Sequence, residues 1–268
     1  MTSTFSAFLA IACYVASAVV IAMRLFRSGM AKKIPRPVGI TLGFAGVLVH
    51  GFFLYQHIFT HAGVNLGFFD AGALVTWTIL LLLLISALSK PVENLGILLL
   101  PLAAVMIILD TRYHTSHVLS AEAPWGLRIH VLISLLAYSL LAMASVQAIL
   151  LAVQDHHLRH RHPGGFIRSL PPLQTMEALL FEMIAAGFLL LTFALASGFV
   201  FLEDMFVQRL AHKTLLSIVA WFVFGSLLWG RFKSGWRGQK ALVWTLSGFV
   251  VLMLAYFGSK FVLELVLS

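Results

Sequence analysis

Apolar runs about as long as a membrane is thick recur along this chain. They cover residues 5–23, 38–58, 71–89, 92–110, 129–153, 179–202, 214–230 and 241–264, with short polar connections between them. A helix needs about 20 apolar residues to cross the hydrocarbon core, so the pattern predicts an all-α, polytopic membrane bundle of eight transmembrane helices. The longest connection, 154–178, is too short to fold alone. The chain 1–268 is therefore expected to form a single transmembrane domain. Between the third and fourth runs lies SKPVEN, a tight turn in which Pro91 is expected to open the fourth helix. Pro171 and Pro172 stop any helix ahead of the sixth span, which Thr175 to Glu177 are expected to lead into.

Composition agrees with this picture. Of 268 residues, 60% are hydrophobic and 10% charged, against about 25% charged in a soluble domain. The net charge of +8 would suggest nucleic acid in a soluble chain. Here most Lys and Arg residues fall in connections 24–37, 89–91, 154–178 and 231–240, as expected of loops held in the cytoplasm. The partner they imply is the lipid bilayer, with no nucleic acid. An even number of spans then leaves both termini extracytoplasmic, in a multi-pass protein of the bacterial inner membrane. The first run has no basic residues ahead of it and no A-x-A-like site, so it is expected to be retained. The single cysteine, Cys13, excludes an intrachain disulfide and a covalent CxxCH haem attachment.

The motifs HExxH and GxSxG, the P-loop and the dinucleotide fingerprint are all missing, and no catalytic residue is assigned. The acids, among them Asp70, Asp110, Glu177, Glu182, Glu203 and Glu264, mostly fall near helix ends, with no paired carboxylates in mid-span. The histidines carry more information. His156, His157, His160 and His162 fall in the cytoplasmic connection, where they suit orientation and lipid headgroups. His57 with His61, and His114 with His117, have metal-compatible spacing but no evident carboxylates nearby, and are expected to be solvated. His50 lies in the outer half of the second span, while His130 and His212 open the fifth and seventh spans from the outside. Imidazoles from facing helices are a common way to hold haem iron. Arg128, Arg209 and Lys213 adjoin the last two histidines and could meet propionates; Trp221, nine residues after His212, could reach a porphyrin. A plain interfacial role for each histidine stays open.

Several stretches in order carry a family resemblance: IHVLISLLAYSLLAMASVQAILLAVQ, SLPPLQTMEALLF, GFLLLTFALASGF, HKTLLSIVAWFVFGSLLWGR and GWRGQKALVWTLSGFVVLMLAYFGS. They resemble the cytochrome c assembly membrane family, in its YpjD-like (HemX-like) branch. The resemblance is strong over about 125–260 and weaker before it, where GVNLGFFDAGALVTW and His50 still fit. It implies haem as ligand, with His130 in the place of the family's outer histidine. Better-known members carry a WGxxWxWD segment ahead of the lysine that matches Lys213. This chain has FLEDMFVQRLAHK there, which puts His212 beside that lysine. It also lacks a second outer histidine after YFG, and has Leu228 and Trp229 where an intramembrane histidine is expected.

The resemblance thus implies an inner-membrane protein of haem handling or haem-protein assembly, not a full cytochrome c synthase. Its cofactor would be haem b, ligated by His130 and His212, with His50 as an alternative or second site. Partners would be cytochrome-assembly or other membrane proteins. Two other readings remain: a quinol-linked electron-transfer haem protein, and a scaffold or transporter accessory subunit without haem.

Overall fold

The computed structural model describes residues 2–26, 34–60, 63–113, 118–120, 122–160, 170–201 and 208–258. Among them, eight helices are long and apolar enough to cross a membrane. They are α1 (Thr2–Phe26), α2 (Arg36–Ile58), α3 (Phe68–Ser89), α4 (Gly96–Arg112), α5 (Trp125–Arg159), α6 (Leu173–Phe201), α7 (Gln208–Ser234) and α8 (Gln239–Met253). A π-helical turn, Leu254–Gly258, continues α8. The chain divides into two compact units, the first built on α1–α4 and the second on α5–α8.

In the first unit each helix neighbours the next and α4 returns to α1, closing a four-helix ring. Its tightest contact joins α1 and α2. A Cβ placed on Gly46 would lie 2.5 Å from the Tyr14 ring, and one on Gly39 would lie 2.9 Å from Ile21. Small residues therefore let the backbones approach, as helix pairs in lipid require. Ser17 Oγ donates to Gly39 O at 2.7 Å across the same contact, and Trp77 Nε1 donates to Val47 O at 2.8 Å between α2 and α3. Arg36 closes the far end. Its guanidinium donates to Ala87 O at 2.7 Å, to Lys90 O at 2.9 Å and to the Glu93 carboxylate at 2.9 Å. One arginine thus satisfies carbonyls left bare at the end of α3 and ties down the SKPVEN turn. Pro91 does not open α4: a 3₁₀ turn at Glu93–Leu95 intervenes, and α4 starts at Gly96.

Three short antiparallel strands join the ends of this unit: β1 (Phe59–Thr60), β2 (Gly63–Asn65) and β3 (Val118–Ser120), in the order β1-β2-β3. Phe59 pairs with Val64 and Asn65 with Val118. The sequence pattern does not predict these strands, because each is only two or three residues long.

The second unit is also a ring: α5 neighbours α6 and α8, and α7 neighbours α6 and α8. Its core includes Leu141, Met176, Leu180, Ile184, Ala220 and Phe224. Two amides lock α5 to the start of α6. Gln147 Nε2 donates to Met176 O at 3.0 Å, and Gln154 Nε2 to Pro171 O at 2.9 Å. Helix α6 begins at Leu173, directly after Pro172 and before the expected start of the span, with Met176 N bonded to Pro172 O. Helix α5 is longer at both ends than its apolar run. His156 and His157 thus lie on its last turns, not in a loop, and His160 is its C-terminal cap. His61, His114, His117, His162, Glu203 and Glu264 lie outside the described residues.

Valine in place of Gly46 would press on the Tyr14 ring and part α1 from α2. The expected cost is about 1–3 kcal/mol, read as a lowered midpoint in thermal unfolding of the detergent-solubilised protein.

Candidate functional site

His130 is the sixth residue of α5 and His212 the fifth of α7. Both helices start at the same end of the ring; His130 lies about 7.5 Å and His212 about 6 Å in from its own helix start, at 1.5 Å per residue. Helices α5 and α7 stand across the ring from each other, with α6 and α8 between them.

His130 is half-buried against α6. Its Nδ1 lies 2.9 Å from Ala194 O and 3.1 Å from Ser197 Oγ. A carbonyl oxygen can only accept, so Nδ1 carries the proton and donates it. Ser197 Oγ also donates to Ala194 O, at 2.9 Å. Ring orientation and tautomer are therefore set by the last turns of α6, and the lone pair is left on Nε2, which has no hydrogen-bond partner among the described residues. Metal-ligating histidines are commonly held this way, through the ring nitrogen that does not meet the metal. Ala194 and Ser197 are not suggested by the sequence. The only signal is a small-residue stretch, FALASGF, far along the chain from His130.

His212 is exposed, and among the described residues no hydrogen bond or ring contact joins it to His130. Lys213 is half-buried and Arg128 exposed, each with interactions of its own. The side chain of Arg209 lies outside the described residues. Trp221 is engaged by α6: Nε1 donates to Thr192 Oγ1 at 2.8 Å, and the ring stacks on Phe188 with centroids 5.4 Å apart.

His50 belongs to the first unit and is 0% exposed. Its Nδ1 and Tyr14 OH share a hydrogen bond of 3.0 Å, and the Tyr14 ring meets it edge-on. Nε2 has no hydrogen-bond partner. Side chains close around this ring, so a porphyrin would reach it only after α1 or neighbouring residues move.

At one end of the first unit the structure corrects the expectation that His57 is solvated with no carboxylates nearby. One ring nitrogen of His57 and one oxygen each of Asp70 and Asp110 lie within 4.8 Å of one another. The three residues sit on α2, α3 and α4, so no spacing in the chain reveals their meeting.

These features define a multi-pass membrane bundle with histidines near its helix ends. The family model described as cytochrome C assembly protein matches residues 38–267, and the chain belongs to that family. It is 35% identical to the inner membrane protein YpjD of Escherichia coli K12, over 76% of this chain and 78% of that protein. It is 32% identical to an uncharacterized 28.8 kDa protein of Azospirillum brasilense, over 70% and 72%. It is 23% identical to the cytochrome c biogenesis protein CcsA of Trieres chinensis, over 72% and 73%. No solved structure matches the chain. With eight apolar helices and this kinship, it is a multi-pass protein of the bacterial inner membrane.

Thr192→Val would strand the half-buried N–H of Trp221, at an expected cost of about 1 kcal/mol. Adding Trp221→Phe removes the stranded donor and should recover most of the loss. Unfolding midpoints of the two variants in detergent check this.

Proposed function

We propose that this protein handles haem at the extracytoplasmic face of the membrane, in the assembly of haem proteins, with His130 as an iron ligand. The observation that carries the reading is the bond from His130 Nδ1 to Ala194 O at 2.9 Å. It leaves Nε2 as a bare, pre-oriented nitrogen donor, and building that donor into a membrane helix serves a ligand. Membership of the cytochrome c assembly family, and relatives named cytochrome c biogenesis proteins, make haem the ligand to expect.

The residues fit haem in kind. His130 offers neutral imidazole nitrogen on one helix, and His212 can offer a second from the helix across the ring. Arg128, Arg209 and Lys213 supply cations for the propionates near the helix ends. The haem would be held without thioether links, as haem b is, since Cys13 is the chain's one cysteine and no CxxCH is present. Bound haem would supply the iron and its redox capacity. The chain's part is to bind it, orient it and hold it at the bundle rim. The distribution of Lys and Arg supports both termini outside, which puts the starts of α5 and α7 at the outer face. His130 is the stronger of the two assignments, because a neighbouring helix fixes it. His50, fully enclosed, is set aside as a haem ligand.

The full-length protein, purified from haem-replete cells, is expected to show a Soret band. His130→Ala should cut the bound haem by about tenfold or more, and the pair His130→Ala with His212→Ala should remove it. A preparation without haem absorption, or a band untouched in the double variant, overturns the reading. Alkaline phosphatase fused after residue 258 should be active if that end lies outside the cytoplasm. An inactive but well-expressed fusion reverses the orientation.

A further inference from the structure

One end of the first unit gathers more chemistry than packing requires. His57 lies in the last turn of α2, Asp70 in the first turn of α3 and Asp110 in the last turns of α4. Asp70 is 5% exposed and Asp110 3%. A ring nitrogen and two carboxylate oxygens from these three helices fall within 4.8 Å of one another. Asp70 has ordinary support there: a helix N-terminus favours a carboxylate, and Asn65 Nδ2 donates to Asp70 Oδ2 at 3.0 Å. Asp110 has neither advantage. It sits at the C-terminal, negative end of α4, and its Oδ2 is buried without a hydrogen-bond partner. Two carboxylates facing each other away from water, in a helix bundle set in lipid, repel and are poorly solvated. A protonated His57 could set one positive charge against the pair, whereas a divalent ion would match both carboxylates.

We propose that His57, Asp70 and Asp110 bind a divalent cation of borderline hardness, of the zinc, manganese or ferrous class. The double positive charge of the ion cancels the two carboxylates. One imidazole nitrogen with two carboxylate oxygens suits such ions, whereas magnesium and calcium take all-oxygen shells and softer ions seek thiolates. Ligands at about 2.0–2.2 Å from an ion lie roughly 3–4.4 Å apart, so the observed cluster closes on an ion with small side-chain rotations. Further positions remain for water. Asn65 is a positioning residue. It bonds Asp70, while Gly67 N donates to Asn65 Oδ1 at 3.2 Å and fixes the amide. The Ser3 hydroxyl at the start of α1 lies 3.4 Å from His57 Nε2. The ion would pin α2, α3 and α4 together at this end. The inference stands apart from the haem reading, whose ligand His130 lies in the other unit.

The test uses full-length protein in detergent, stripped with chelator. It carries His156→Ala and His160→Ala, because those two rings sit 4.2 Å apart and are a separate possible zinc trap. Titration with zinc, and separately with manganese, should load about one ion per chain, counted by mass spectrometry after desalting, and raise the melting temperature. Asp110→Asn should weaken zinc binding by more than about 100-fold, and Asn65→Ala by about tenfold, as for outer-shell partners. Asp110→Asn should also melt higher than the metal-free parent, since one buried charge is gone; that result separates loss of a ligand from loss of the fold. Failure of both ions to bind overturns the proposal. Undiminished zinc binding in both Asp110→Asn and His57→Gln does so too.

Discussion

A polar group facing hydrocarbon has no water to fall back on, so each must find its partner inside the protein. That constraint organises this chain more than any single contact. Many mid-span polar atoms are used in short bonds: Thr76, Thr78 and Thr245 hydroxyls return to their own helix, while Ser17, Trp77, Gln147 and Trp221 tie one helix to the next. Groups with ligand chemistry collect at helix ends instead. There a loop, a neighbouring helix or water can share the cost of holding them.

His130 and His50 show how finely that cost is managed. His130 spends Nδ1 on Ala194 and keeps Nε2 open on a half-buried ring. His50 spends Nδ1 on Tyr14 and keeps Nε2 inside a closed shell. The local chemistry is the same, but the access is opposite. For this reason the haem reading rests on the first and not on the second, although both histidines fall in the outer half of their spans by sequence.

Much of the architecture was legible because lipid permits so few solutions. Eight apolar runs gave eight spans, and the family is confirmed by the match over residues 38–267. Helix ends were less legible. The pattern follows apolar residues, whereas α5 continues through Asp155, His156 and His157, where Arg159 pairs with Asp155 at 2.9 Å one turn away. Pro172 likewise launches α6 well before its apolar run, since proline suits a helix start. The strands are shorter than any period the sequence can display. The meeting of His57, Asp70 and Asp110 was invisible for a different reason. It depends on three helices ending side by side, and each residue alone looks like an ordinary polar residue at a membrane rim.

The central claim is that an imidazole at position 130, pre-oriented by α6, ligates haem iron through Nε2. Electron paramagnetic resonance of the ferric, haem-loaded full-length protein tests it most directly. The account predicts a low-spin signal in the native protein, its conversion to high spin in His130→Gly, and its return when free imidazole is added to fill the vacated place. A low-spin signal that persists unchanged in His130→Gly without added imidazole would contradict it.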